Sequence, residues 1–379
     1  MDPIPFNRPF LAGNEAKYVA EVLASGHLCG DGPFTQRATQ WLERELGAPR
    51  VLLTTNCTHA LEMCALLLDL GPGDEVIVPS FAFVTTASAF SARGAKLVFA
   101  DVRADTLNLD ERLLEPLLTP RTKAIVALHY GGVACELDAL LALARPRGIA
   151  VVEDNAHGLF GSYRGQKLGT LGTFGTQSFH ETKNITCGEG GALVINDPRR
   201  IARAEIVREK GTNRARFLRG QVDKYTWVEQ GSSYLPSELL AAVLVAQLEA
   251  SAAIQAARLR VWYRYFAALE PWARANGVQL PVVPPHCEHP AHVFHLLLPD
   301  LATRTAFLAH LKAQGVQAVF HYQPLHLSEV GRALGGRVGQ CPVTESVAER
   351  QARLPLFAGL TPADVERVLA AVTSFGAAG

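Results

Sequence analysis

From about residue 50 to residue 200, short apolar runs alternate with segments whose apolar positions recur every three or four residues. The runs RVLLT, DEVIVPS, KLVFAD, TKAIVALH, GIAVVED, TFGTQSFH and GALVIN read as strands. Several are continuously apolar, as strands buried on both faces of a sheet must be. THALEMCALLLDL, TTASAFSAR, DERLLEPLL and ELDALLALARPRG fill the intervals and read as helices. The alternation predicts an α/β fold, a mostly parallel sheet covered on both sides.

After residue 200 the pattern changes. PRRIARAEIVREKG reads as a helix ending at Gly211. The next stretch, Thr212 to Tyr234, has no period but carries Phe217, Tyr225 and Trp227, which suits a functional loop rather than disorder. One long helix is predicted from Pro236 to about Glu270. HVFHLLLP and VQAVFHY read as strands, and TRTAFLAHLKAQG and TPADVERVLAAVTSF as helices. We therefore expect a large domain over residues 1–250 and a smaller α+β domain over 251–379.

Composition narrows the partners. Apolar residues make up 48% and charged residues 19%, which excludes a disordered chain. Thirty-six basic side chains balance 36 acidic ones, so neither nucleic acid nor an anionic membrane is an expected partner. The seven cysteines (Cys29, Cys57, Cys64, Cys135, Cys187, Cys287 and Cys341) form no CxxC pair, and no metal site is expected. Scattered thiols of this kind suit a reducing compartment. MDPIPFNRPF lacks the basic and apolar regions of a signal peptide, and LLAAVLVAQLEASAAI is broken by Gln247 and Glu249. A cytoplasmic protein is expected.

In parallel sheets, ligands bind beyond the carboxyl ends of the strands. After RVLLT comes TNCTHALEM, a turn into a helix whose first N–H groups suit a phosphate, with Asn56 or Thr58 as its cap. An ordinary capped helix explains that turn equally well. After DEVIVPS come Phe81 and Phe83, either core residues or a surface on which a flat ring stacks. GIAVVE ends in Asp154, a carboxylate that needs either a cationic partner or a helix to cap, with His157 three residues on. TFGTQ is followed by Ser178 and Lys183, then by the glycine turn CGEGG. A phosphate site, a stacking aromatic, a buried carboxylate and an amine together are the parts that pyridoxal 5'-phosphate requires.

The ordered segments NCT, PSFAFVTTASA, VVEDNAHG, SFHETKN with TCGEGG, and FHYQPLH resemble the DegT/DnrJ/EryC1/StrS sugar-nucleotide aminotransferase family, from about Ile4 to the C-terminal helix. The resemblance implies fold-type I, the pyridoxal phosphate-dependent transferase fold. It implies Lys183 as the Schiff-base lysine and Asp154 as partner of the pyridine nitrogen. His157 would lie near the phenolic oxygen, Ser178 and the Cys57–Thr58 turn at the phosphate, and Phe83 on the ring. Tyr322 and His326 would reach toward a nucleotide sugar, L-glutamate would be the amino donor, and the enzyme would be a homodimer with shared sites. Two positions depart from the family pattern: Cys57 stands where glycine is commoner, and Asn155 where alanine is.

HYGGVACELD, AEIVREKGTNR, RGQVDKYTW and GSSYL lie outside the general pattern. They are similar to a subgroup that makes dTDP-4-amino-4,6-dideoxygalactose for lipopolysaccharide or enterobacterial common antigen biosynthesis. Another keto sugar, with the ketone at C3 or the opposite C4 stereochemistry, is the alternative within the family. A dehydratase or a non-catalytic regulator should lack Lys183 or Asp154, and both are present.

Overall fold

The computed structural model describes residues 2–376. Residue 1 and residues 377–379, which the expected domain limits include, lie outside the described residues. All seven strands read from the apolar runs are present: β1 (Arg50–Thr54), β2 (Glu75–Pro79), β3 (Lys96–Ala100), β4 (Thr122–Leu128), β5 (Ala150–Asp154), β6 (Phe174–Ser178) and β7 (Gly191–Ile195). They form one sheet in the order β1-β7-β6-β5-β4-β2-β3. Every neighbouring pair is parallel except those of β7, which runs antiparallel to both β1 and β6. Leu128 lies beside Asp154, and Asp154 beside Thr176, so β4 and β5 finish level and β6 runs two residues further, to Ser178.

Alternation within these strands covers both faces. Val76, Val78, Val126 and Val152 enter one apolar cluster; Ile77, Ile125 and Val151 enter another. Each such burial is worth about 1.5–3 kcal/mol. Helix α1 (Cys57–Leu67) leaves β1 and packs into the first cluster through Leu61, Cys64 and Leu67. Helix α2 (Thr85–Ser91) follows β2.

The single long helix expected from Pro236 is two, α3 (Glu238–Glu249) and α4 (Ser251–Ala275), bent by 63°. Ala250 carries the break (φ −92°, ψ 3°). Two cores compete for this segment: Ala241, Val245 and Leu248 pack with the sheet, whereas Val261, Trp262 and Leu269 pack in a second cluster. No single helix among the described residues is long and apolar enough to cross a membrane.

The second cluster covers strands β8 (Phe294–Leu297) and β9 (Gln351–Leu354), which are antiparallel with His295 opposite Arg353. Ile4 bridges to Val316 and joins this cluster, although the expected limits put it in the large domain. VQAVFHY is not a strand, because its backbone bonds are divided between Ile4 and Arg353 as isolated bridges. β9, with its buried arginine, takes the place beside β8. DERLLEPLL is not an α-helix but two short 3₁₀ turns, and Pro116, which lacks an N–H, sits in the second. The stretch from Thr212 to Tyr234 contains one short helix, Arg214–Leu218, and leaves Tyr225, Trp227 and Val228 exposed.

Candidate active site

A cavity of about 500 Å³ opens at the carboxyl edge of the sheet and is closed on its far side by residues around β8 and β9. Cys57, Thr58, Phe83, Asp154, His157, Ser178, Lys183 and Tyr322 all line it. Of the nine site residues expected from sequence, only His326 does not.

Asp154 ends β5 and is buried. Its Oδ2 accepts the Thr86 hydroxyl at 2.7 Å, and its Oδ1 accepts the Ala156 N–H at 3.2 Å. No ion pair reaches it among the described residues. Burial therefore raises its pKa, against smaller opposing effects from Thr86, Ala156 and the Lys183 charge. The carboxylate is stable here only opposite a new cation, and a protonated pyridine nitrogen is one.

Lys183 stands in the loop that joins β6 to β7. The neck of that loop is tied by Phe179 N–H to Gly190 O at 2.8 Å and by Cys187 N–H to Phe179 O at 3.0 Å. Asn184 Nδ2 donates to Pro290 O at 2.7 Å, so the residue beside the lysine is pinned to the far wall. Nζ makes no hydrogen bond or ion pair among the described residues. Burial lowers the ammonium pKa to about 8, outweighing the attraction of Asp154. A near-neutral amine of this kind is a competent nucleophile and base.

Helix α1 presents its N-terminus to the cavity at Cys57 and Thr58. Asn56 is the cap: its Oδ1 accepts the His59 N–H at 2.8 Å. The earlier N–H groups are left for an anion. Gly191, the first residue of β7, lies so near that a Cβ there would overlap the backbone of Asn56 and Cys57. Burial pushes the Cys57 thiol up to about 12, so it stays protonated, and it donates to Thr176 Oγ1 at 3.4 Å. Side chain and backbone both tolerate cysteine in this turn. Asn155, the other departure, is buried and donates to Leu168 O at 3.0 Å.

His157 Nδ1 accepts the Gly131 N–H at 3.3 Å, so the proton of the neutral ring is on Nε2. That nitrogen lies 3.4 Å from Tyr322 Oη and faces the cavity, ready to donate to an oxygen. Burial, with the Lys183 and Arg353 charges, keeps the ring neutral. His157 stacks on His292, with centroids 4.4 Å apart. Phe83 lines the same cavity and is half exposed, whereas Phe81 is fully buried against Tyr130 and Tyr322.

His326 corrects the expectation placed on it. It is fully buried, with Nε2 donating to Glu345 Oε1 at 3.0 Å and Nδ1 taking the Ser80 hydroxyl at 2.6 Å. Both nitrogens are used inside the protein, and none is left for a sugar. Conversely, Thr86, His292, His321, Arg353 and Phe6 reach the cavity without a sequence signal of their own. The segment PSFAFVTTASA contains Thr86, but nothing in it singles out that threonine from its neighbour Thr85.

The residues fit pyridoxal 5'-phosphate: a phosphate cradle at α1, an uncompensated carboxylate, a donor imidazole and a near-neutral lysine on one cavity. The sequence profile described as the DegT/DnrJ/EryC1/StrS aminotransferase family matches residues 9–373. Among solved structures, the aminotransferase TlmJ from Streptoalloteichus hindustanus is 33% identical, with 98% of each chain covered and a TM-score of 0.90. DesV from S. venezuelae, solved in complex with a ketimine intermediate, is 29% identical over 99% of this chain and 98% of its own, with a TM-score of 0.89. Spr1654 from Streptococcus pneumoniae, described as a sugar aminotransferase and solved in its PLP form, is 25% identical over 98% of each chain, with a TM-score of 0.90. The chain belongs to the DegT/DnrJ/EryC1/StrS aminotransferase family and is a fold-type I aminotransferase dependent on pyridoxal 5'-phosphate.

Proposed function

We propose that the protein transfers the amino group of L-glutamate to the C4 ketone of dTDP-4-keto-6-deoxyglucose, giving dTDP-4-amino-4,6-dideoxygalactose. The observation that carries the aminotransferase chemistry is the pairing, across one cavity, of unbonded Lys183 with uncompensated Asp154. The sugar is supported by the subgroup segments in the sequence and by relatives that act on sugars.

When bound, pyridoxal 5'-phosphate supplies a carbonyl that takes up the donor's amine and a ring that delocalises the electron pair left at the α-carbon. Asp154 would hold the proton on the ring nitrogen. The α1 N-terminus and Ser178 would hold the phosphate, Phe83 would lie against the ring, and His157 Nε2–H would donate to the phenolic oxygen. Lys183 Nζ removes the α-proton of glutamate and later delivers a proton to C4 of the sugar; the face it serves sets the stereochemistry. Tyr322, beside His157 on the same cavity, would contact the sugar. We further propose a cytoplasmic homodimer whose sites are completed by the exposed loop from Thr212 to Tyr234.

The test is NMR of the product formed from L-glutamate and dTDP-4-keto-6-deoxyglucose. An axial amine at C4 is expected, and none with Lys183→Ala. An equatorial amine would keep the chemistry and reverse the face. No product would send the search to 3-keto isomers.

A further inference from the structure

His292 is a buried imidazole, 7% exposed, whose two nitrogens have opposite fates. It stands just before β8, in a segment that α4 holds by its carbonyls. Arg258 donates to Ala291 O at 3.1 Å and to His292 O at 2.7 Å, and Trp262 Nε1 donates to Val293 O at 3.2 Å. His292 Nδ1 lies 2.9 Å from Asn184 Oδ1. The Asn184 amide has only one orientation, because its Nδ2 donates to Pro290 O at 2.7 Å and to Gln255 Oε1 at 3.2 Å. Gln255 is fixed in turn, its Nε2 donating to the same Pro290 carbonyl at 2.6 Å. Asn184 Oδ1 can only accept, so the ring proton of His292 is on Nδ1. Nε2 keeps a lone pair and bonds to nothing among the described residues, on a ring that lines the cavity of Lys183. Burial, with the charges of His157, Lys183, Arg258 and Arg353, holds the pKa of this ring well below the ordinary histidine value, so the lone pair stays free. His157, stacked on it, has the reverse polarity: its Nδ1 accepts and its Nε2 donates.

A buried acceptor without a donor is costly, so Nε2 calls for a donor brought by a ligand. The chemistry of the ligands leaves few. Phosphate and phenolic oxygens accept, and a protonated pyridine nitrogen belongs to Asp154. The carboxylates of glutamate only accept, and its amine is the group that is transferred. The nucleotide base carries an N–H, but a diphosphate and a sugar ring separate it from the reacting carbon. The sugar hydroxyls are the donors that remain. Lys183 is close enough to His292 for its charge to act on the ring. Because Lys183 serves the carbon of the ketone, the hydroxyl within reach of His292 is the one on the adjoining carbon. We infer that His292 Nε2 receives the hydrogen bond of the sugar hydroxyl next to the ketone, with Asn184 fixing the tautomer that makes it an acceptor. His292 thereby selects keto sugars that carry this hydroxyl over their deoxy counterparts. The inference rests on the proposed amino transfer to a keto sugar, but not on which keto sugar accepts.

The test uses the holoenzyme and whichever nucleotide keto sugar the wild type turns over, together with the analogue that lacks the hydroxyl next to its ketone. The wild type should prefer the hydroxyl sugar by about 10- to 100-fold in kcat/KM. His292→Phe keeps a ring to stack on His157 but removes the acceptor. It should lose about that factor on the hydroxyl sugar, lose little on the deoxy analogue, and so abolish the preference. His292→Gln, which keeps an acceptor, should restore part of it. The rate at which L-glutamate alone converts the cofactor, followed by absorbance, should be the same in all three proteins. Equal losses on both sugars would overturn the inference and make His292 structural. A slowed glutamate reaction with the preference intact would overturn it in favour of a partnership between His292 and the Lys183 amine. If His292→Phe fails to fold, a wild type indifferent to the missing hydroxyl would by itself overturn it. An unexpected sugar changes the substrate of this test and not its reading, so failure of the proposed C4 transfer is told apart from failure of the inference. Turnover of no keto sugar at all would remove both.

Discussion

Glu153 and Asp154 are consecutive residues of β5, both buried, and their side chains project to opposite faces of the sheet. Glu153 is satisfied from within. Its Oε2 accepts from His129 Nε2 at 2.9 Å and Gly169 N–H at 2.8 Å; its Oε1 accepts from Leu171 N–H at 2.7 Å and Gly172 N–H at 2.6 Å. Asp154 has a hydroxyl, one N–H and no cation. The same chemical group, one residue apart, is in one case a clamp on the turn before β6 and in the other a vacancy for a charge. A buried charge with every lone pair used marks structure. One left short of partners marks a place for a ligand.

Asp154→Asn should break this comparison most strongly, and with opposite signs in the two forms of the protein. Turnover of the holoenzyme should fall by about 10²–10³-fold, the usual loss when one preorganised electrostatic partner is removed. The apoprotein should melt no lower than wild type, and higher at neutral pH. Burial raises the carboxyl pKa of Asp154, so the folded state binds its proton more tightly than the unfolded state. Stability of the apoprotein therefore falls as pH rises from the ordinary aspartate value through the raised one, and asparagine removes that loss. Scanning calorimetry with and without cofactor checks both signs. An apoprotein melting well below wild type would make Asp154 a structural residue like its neighbour.

Glu153→Ala should show the reverse. It strands His129 and three N–H groups in the interior, which costs about 3–5 kcal/mol. Urea unfolding of the apoprotein reads this directly. The folded fraction should keep its cofactor and its kcat, because no atom of Glu153 faces the cavity. A variant of normal stability and lost activity would mean that the two carboxylates act as one unit.

Much of this was visible in the sequence, for a physical reason. A strand buried on both faces often writes a continuous apolar run, so its end is easily found, and Asp154 stands just past such a run; Ser178 ends the more polar strand FGTQS. Lys183 and the α1 turn follow by a few residues. Arg353 was not visible. QARL alternates as a half-buried strand should, but that its guanidinium goes unpaired depends on residues distant in the chain, such as Phe6 and Phe320. The break at Ala250 was hidden for a similar reason: alanine-rich sequence is helical on either side, and the bend comes from two separate cores.

His326 gives the smallest effect and the finest test of the rule. Tyr322, four residues earlier, reaches the cavity, and the resemblance of the FHYQPLH segment implied the same for His326. Pro324 and the turn Leu325–Leu327 carry it instead beneath Ser80. With Ser80 and Glu345 on its two nitrogens it belongs with Glu153, not with Asp154. Ser80, Glu345 and His326 match a hydrolytic triad only in composition, since the serine hydroxyl is sealed from solvent. His326→Ala leaves that hydroxyl and part of a carboxylate without partners and should cost about 1–3 kcal/mol of stability. The KM values for both substrates should not move, because the ring touches neither. A raised KM for the keto sugar at unchanged stability would return His326 to the substrate side. It would also show that full use of a side chain's hydrogen bonds is no guide to its role in this fold.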